Sequence, residues 1–166
     1  MTNPYRILMV CTGNICRSIM AEIIVREHAE QRGLNLELAS AGVSPEETGN
    51  YIDPRAQKEL TDAGYSLPEH SAHQATREEL ESADLILAMT AYHKRALQQL
   101  CMRYAISDAD IRLFRTFDPE CAGSSTIPDV EDPWYGGPED FVVTRETIER
   151  CTPPILDYVE EQLATR

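Results

Sequence analysis

The stretch Val10-Cys11-Thr12-Gly13-Asn14-Ile15-Cys16-Arg17-Ser18 constrains this chain most, because three kinds of backbone must meet inside it. The apolar run Ile7-Leu8-Met9-Val10 leads into it. The run reads as a strand buried on both faces, as in a parallel sheet. From Arg17 onward, apolar Met20, Ala21, Ile23 and Ile24 recur at helical spacing among Arg and Glu. A strand must therefore turn into a helix across a few residues. Gly13 and Asn14 are the residue types that best tolerate a left-handed backbone. A loop curled in that way points several N–H groups inward and forms a nest for an anion. The helix adds the positive end of its dipole to the same spot. Arg17 supplies a planar fork that grips two oxygens of a phosphate at once. A thiol at Cys11 would sit beside a cation and a helix N-terminus, both of which favour the thiolate. The stretch thus predicts a phosphoryl-binding loop, residues 12–16 with Ser18, built around a nucleophile.

The rest of the chain supplies a matching frame. The pattern predicts strands at residues 5–10, 36–39, 83–89 and 111–114, and helices at 17–32, 54–64, 92–102 and 138–164. Gly33 is placed to cap the first helix at its C-terminal end. Asp53 and Pro54 read as N-cap and first-turn residue of the second. Thr76-Arg77-Glu78-Glu79 has the form of a capping box before a short helix. Ser40-Ala41-Gly42 reads as a loop, and residues 115–138 as a long functional one. Pro153-Pro154 is expected to break or kink the last helix. Strands alternating with helices imply an α/β fold, a four-stranded parallel sheet with helices on both faces, in one domain over residues 1–166. Ligands in such sheets bind at the carboxyl ends of the strands, where the loops at residues 11–17, 40–53, 89–92 and 115–138 converge.

Charge and cysteine content narrow the function. A net charge of −13 argues against nucleic acid or an acidic membrane surface as partner. No apolar stretch approaches the ~20 residues of a membrane span, and the N-terminus lacks an apolar signal core. A cytoplasmic protein is expected, with export that needs no signal peptide left open. Five cysteines without a CxxC pair read as reduced thiols. His28, His73 and His93 show no metal-ligand spacing, so neither a metal nor an organic cofactor is expected.

Cleaving a phosphate monoester also requires a proton donor for the leaving oxygen. Three Asp-Pro pairs offer one: Asp53, Asp118 and Asp132. Asp53 is accounted for as a helix cap. Position does not separate Asp118 from Asp132, but Trp134 and Tyr135 beside Asp132 are suited to wall an aromatic substrate pocket. Cys16 lies close enough in sequence to reach Cys11 when the loop curls, which allows a reversible disulfide. It equally suits a small apolar residue packed behind the loop.

VCTGNICRS followed by Met20-Ala21-Glu22 resembles the signature of the low-molecular-weight protein tyrosine phosphatases, and Asp132-Pro133-Trp134-Tyr135-Gly136 resembles their acid loop. The resemblance implies the phosphotyrosine phosphatase I-like fold and a phosphotyrosine-containing protein as substrate, acted on by a monomer. Cys11 is the implied nucleophile, Arg17 the phosphate ligand and Asp132 the acid and base. Ser18 is implied to stabilise the thiolate, and Asn14, Ser40 and His70 to form the network that holds the loop. Three positions depart from the pattern or vary within it. Ile19 stands where the family usually has Pro. Glu46 stands where it often has a pocket aromatic, with Tyr51 nearby as a substitute. Ile15 matches a position that is Thr in related phosphoarginine phosphatases. Two other readings share the features: an arsenate reductase of the same fold, and a phosphate-binding module without turnover.

Overall fold

Strand β1 (Tyr5–Cys11) lies inside a sheet with β2 (Leu36–Gly42), β3 (Leu85–Ala88) and β4 (Ile111–Leu113), in the order β2-β1-β3-β4 with all pairings parallel. The computed structural model describes residues 3–166, so the first two residues of the expected domain lie outside the described residues. Side chains alternate across a strand, and here both sides are buried. Tyr5, Ile7, Met9 and Cys11 face one core with Leu85 and Leu87 of β3, while Leu8 and Val10 face a second with Ile86 and Ala88. The first core is closed by α1 (Arg17–Gln31), α2 (Pro54–Asp62) and α5 (Pro138–Ala164). The second is closed by α3 (Arg77–Ser82) and α4 (Ala91–Arg103). Each fully buried Leu or Ile contributes about 1.5–3 kcal/mol, which is why the continuous apolar runs read correctly as sandwiched strands.

The caps are formed as the residue types dictate. Asp53 accepts from the Arg55 N–H at 2.8 Å, and Thr76 with Glu79 makes a reciprocal capping box. Gly33 and Gly64 take left-handed backbone with φ of 67° and 93° just past their helices.

Three expectations are corrected. β2 does not stop at Ala39; residues 40–42 pair with β1 through Cys11 and Gly42. The small Ser-Ala-Gly run looks like a loop but is the part of the strand that lies nearest the thiol. Second, α5 runs unbroken across Pro153 and Pro154. Two backbone donors are missing there, yet the flanking turns bury Ile148, Cys151, Ile155, Leu156 and Val159, and Thr152 Oγ1 donates to the Ile148 carbonyl at 2.7 Å. Packing on both sides of the pair outweighs the lost ladder bonds. Third, the long loop holds short 3₁₀ turns at Phe114–Phe117, Pro119–Cys121 and Pro133–Tyr135.

The connection β1-α1-β2 moves one way along the sheet, and β3 then pairs on the other side of β1. The carboxyl end of β1 is therefore a topological switch point, where a crevice opens for a ligand.

Candidate active site

Cys11 ends β1 and Arg17 opens α1, with the intervening loop pinned against β2. Val43 N–H donates to the Cys11 carbonyl at 3.0 Å, and Ser44 N–H to that of Thr12 at 3.1 Å. Gly42 is required by this approach, since a Cβ there would lie 2.4 Å from the Thr12 carbonyl oxygen. Of the two residues expected to adopt left-handed backbone, only Asn14 does, at φ 62°. Gly13 instead leaves room for Glu47, whose Cγ would lie 2.8 Å from an added Cβ.

Asn14 is fully buried and its amide is saturated. Its Nδ2 donates to Ser18 Oγ at 2.9 Å and Ser40 Oγ at 3.0 Å, while Oδ1 accepts from His73 N–H at 3.3 Å. His70 Nε2 is 2.7 Å from the Asn14 carbonyl, which can only accept, so this nitrogen carries the proton. Cys11 Sγ donates to Ser18 Oγ at 3.0 Å, and the same oxygen accepts from Asn14 Nδ2.

Arg17 is 5% exposed. Its Nη1 donates to the Val130 carbonyl at 3.0 Å, and its Nη2 lies 3.5 Å from Asp132 Oδ2. Val130 is itself tied by its N–H to the Met89 carbonyl at the end of β3, at 2.8 Å. The first turn of α1 has no side-chain cap, which leaves its N–H groups for an anion. Ile19 is buried within that turn. A residue there needs no backbone donor, which is why either Ile or Pro is compatible.

A cavity of about 330 Å³ opens over this loop, with Cys11, Cys16, Ile15 and Arg17 at its base. Asp132, Trp134 and Tyr135 form one side of the mouth, and Glu46 and Glu47 the other. Tyr135 is 93% exposed, so it is a free flank and not a packed wall. Tyr51 turns its hydroxyl to the Pro68 carbonyl at 2.8 Å and does not line the cavity; Glu46 is not replaced by an aromatic from that segment. A larger cavity, about 460 Å³, shares Asp132 and lies between Arg115 and α5, with no cysteine in its lining.

Asp118 is set apart from Asp132 by its surroundings. It is buried and receives Arg150 through Nε and Nη2, both at 2.8 Å, and Arg115 Nε at 2.9 Å. The Arg150 hydrogen bonds hold its carboxyl well below the ordinary carboxylate range. It is a structural anion. Cys16 is a free, buried thiol whose pKa is pushed well above its ordinary value by burial and then by Cys11.

One contact in the loop left no trace in the sequence. His93, in the first turn of α4, places Nε2 2.8 Å from Thr12 Oγ1 across 81 positions of chain. It is 1% exposed, and its Nδ1 is the single buried side-chain N or O atom without a partner among the described residues. Only the folded chain brings that histidine to the residue after Cys11.

A family profile described as low molecular weight phosphotyrosine protein phosphatase matches residues 6–165. A low molecular weight protein-tyrosine-phosphatase of Streptomyces coelicolor is 40% identical over 164 residues, covering 98% of each chain. A protein-arginine-phosphatase of Bacillus subtilis is 37% identical over 143 residues, covering 86% of this chain and 89% of that one. Among solved structures, YfkJ from Bacillus subtilis superposes with a TM-score of 0.84 at 28% identity, over 97% of this chain and 98% of that one.

His93 makes a prediction for stability. Burial, and then Arg17, push its pKa down to about 3. The unfolded imidazole takes up its proton near pH ~6.5, so the unfolded chain binds more protons below that pH. The contribution of neutral His93 is fully present above pH ~6.5 and is lost as the pH falls towards its folded value. Urea unfolding from pH 7 to 4 should show His93→Gln with a shallower pH slope than the parent, by up to ~1.4 kcal/mol per pH unit. Parallel slopes would contradict the buried neutral state.

Proposed function

Because the chain belongs to the low molecular weight phosphotyrosine protein phosphatase family, we propose that it hydrolyses phosphotyrosine monoesters on proteins through a phosphocysteine formed on Cys11. The observation that carries this reading is the convergence of thiol, guanidinium and carboxylate on one cavity. Thr12, Gly13, Asn14, Ile15 and Cys16 would wrap the phosphoryl group with their N–H donors, and Arg17 would hold its equatorial oxygens. The Cys11 thiolate attacks phosphorus in line. As the S–P bond forms, the bond to the phenolic oxygen breaks and that oxygen takes the proton of Asp132. Water then attacks the phosphocysteine while Asp132 accepts its proton. The S–P bond breaks, and the returning thiolate is stabilised by the Ser18 hydroxyl, which lies 3.0 Å away and turns its hydrogen to the sulfur. Donors fixed before the reaction supply most of the stabilisation, as is general for phosphoryl transfer.

The same reading makes the protein a cytoplasmic monomer whose partners are phosphoproteins. Among the described residues no helix is long and apolar enough to cross a membrane. Glu46 and Glu47 at the mouth oppose acidic residues flanking the phosphotyrosine. The reductase reading loses support because Cys101, Cys121 and Cys151 are buried away from the cavity and offer no thiol relay to Cys11.

Two measurements test the chemistry. Asp132→Asn should slow phenyl phosphate far more than 2,4-dinitrophenyl phosphate, whose leaving group needs no proton; general acid catalysis is typically worth ~10²–10⁴-fold. Asp118→Asn should keep the parent's dependence on the leaving group, whatever it costs in stability. The reverse pattern would assign the acid to Asp118.

Substrate choice turns on Ile15 at the base of the cavity. Its sec-butyl group offers a phenyl ring apolar contact and offers a phosphorylated guanidinium no hydrogen bond. Phosphoserine and phosphothreonine are too short to bring phosphorus to Cys11. We expect kcat/KM to favour phosphotyrosine over phosphoarginine, and Ile15→Thr to move that ratio towards phosphoarginine. A parent enzyme that prefers phosphoarginine would overturn the assignment.

A further inference from the structure

Arg55, in the first turn of α2, stands at a junction between the two halves of the site. Its Nε donates to Asp53 Oδ1 at 3.1 Å and its Nη2 to Asp53 Oδ2 at 3.0 Å. The remaining arm, Nη1, donates to the main-chain carbonyl of Trp134 at 2.8 Å. The guanidinium carbon lies 4.9 Å from the centroid of the Trp134 ring and 4.9 Å from that of Phe141 on α5. Cation–π contacts of this kind attract the guanidinium to the ring face.

Both ends of this bridge lead to the reacting groups. On one side, Asp53 is 5% exposed and its N–H donates to the Ile15 carbonyl of the phosphate loop at 2.8 Å. Burial opposes its charge, but the hydrogen bonds from Arg55 outweigh burial and keep the carboxyl below its ordinary value. On the other side, the N–H of Trp134 donates to Asp132 Oδ1 at 3.0 Å. Asp132 Oδ2 in turn faces Arg17. An unbroken series of contacts therefore runs from Ile15 through Asp53, Arg55 and Trp134 to Asp132.

The segment that carries Asp132 is anchored upstream, where the Val130 N–H donates to the Met89 carbonyl and the Val130 carbonyl accepts from Arg17, whereas on the downstream side Arg55 reaches it at Trp134. Residues 122–137 contain no strand or α-helix, only the 3₁₀ turn Pro133–Tyr135, and Trp134 and Tyr135 are largely solvent-exposed. Capping of α2 does not require the Arg55 side chain, because Asp53 reaches the Arg55 backbone N–H directly. Two arms hold Asp53, the N-cap of α2, and the third reaches the acid loop.

We propose that Arg55 is a positioning residue that sets the Asp132 carboxylate, through Trp134, at a fixed distance from the Cys11 loop. The proposal rests on Asp132 as the general acid. The planar fork presents donors from three separate nitrogens, whereas the three N–H bonds of an ammonium radiate from one atom and do not reproduce that spread. Loss of the brace leaves the phosphate cradle intact and lets the acid drift. A misplacement of ~1 Å costs up to ~10²-fold.

The test is a leaving-group series of aryl phosphates measured on the parent, Arg55→Lys, Asp132→Asn and the double variant. Arg55→Lys should lower kcat/KM for phenyl phosphate by about 10–10²-fold. On 2,4-dinitrophenyl phosphate its loss should be less than about threefold, because that leaving group needs no acid. Inhibition by inorganic phosphate should be unchanged. In the Asp132→Asn background the same substitution should add no further leaving-group dependence, since both act through one carboxylate. Asp53→Asn, which loosens the fork from its other end, should give the same signature, and it decides the matter where Arg55→Lys is poorly folded by circular dichroism. Equal losses on all esters, no loss, or additivity with Asp132→Asn would overturn the proposal while leaving the phosphatase reading intact. Absence of leaving-group dependence in Asp132→Asn itself would instead remove the acid assignment, and the proposal with it.

Discussion

The Asn14 side chain sits in the interior of the protein with a partner for both amide hydrogens and for its oxygen. A left-handed residue other than glycine costs of order 1–2 kcal/mol, and a buried amide left unpaired costs ~1–3 kcal/mol more. Here one side chain bears on both: with the backbone at φ 62° it bonds Ser18, Ser40 and the His73 N–H. The rest of the site follows from that choice. The loop curls, Ser18 is held 3.0 Å from the Cys11 sulfur, and Arg17 is carried into the interior, where Val130 receives it. The sheet supplies the fixed edges, through Gly42 on one side and Met89 on the other.

Charge gives the site its second constraint. The chain carries 28 acidic against 15 basic side chains, so a phosphate dianion meets a repulsive body everywhere except at a few donors. Arg17 and the uncapped start of α1 provide that exception at the base of the cavity. Glu46, Glu47 and Asp132 restore the acidic character at the mouth. On the proposed function, the cavity would accept the phosphoryl group beside Arg17 and oppose extra negative charge around it, which would act as a filter on the sequence that surrounds the phosphorylated residue.

Much of this architecture was legible before folding because it is local. Consecutive apolar residues announced β1 and β3, Asp53-Pro54 and Thr76 to Glu79 announced their helices, and the spacing of Cys11 and Arg17 announced the loop. The misreadings arose where a distant partner overrides local preference. Ser40-Ala41-Gly42 has the composition of a turn, yet it extends β2 because β1 lies beside it. Pro153-Pro154 reads as a break or kink, yet α5 is continuous across the pair because its apolar face is buried on both sides. His93 gave no signal, since its contact with Thr12 exists only after α4 docks on the sheet. Asp132 and Asp118 share an Asp-Pro context, and the three-dimensional surroundings separate them: two guanidinium groups enclose Asp118, whereas Asp132 is half-exposed at the cavity mouth.

The proposed hydrolysis depends on Cys11 as a covalent nucleophile. In Asp132→Asn a substrate with a good leaving group should still phosphorylate the thiol, while hydrolysis, deprived of its base, lags behind. Mixing that variant with 2,4-dinitrophenyl phosphate, quenching rapidly and mapping peptides by mass spectrometry measures the intermediate directly. One phosphoryl group per chain, confined to the peptide and residue Cys11, is the predicted result. Release of dinitrophenol with no phosphoenzyme, or with the phosphoryl group on another side chain, would contradict it.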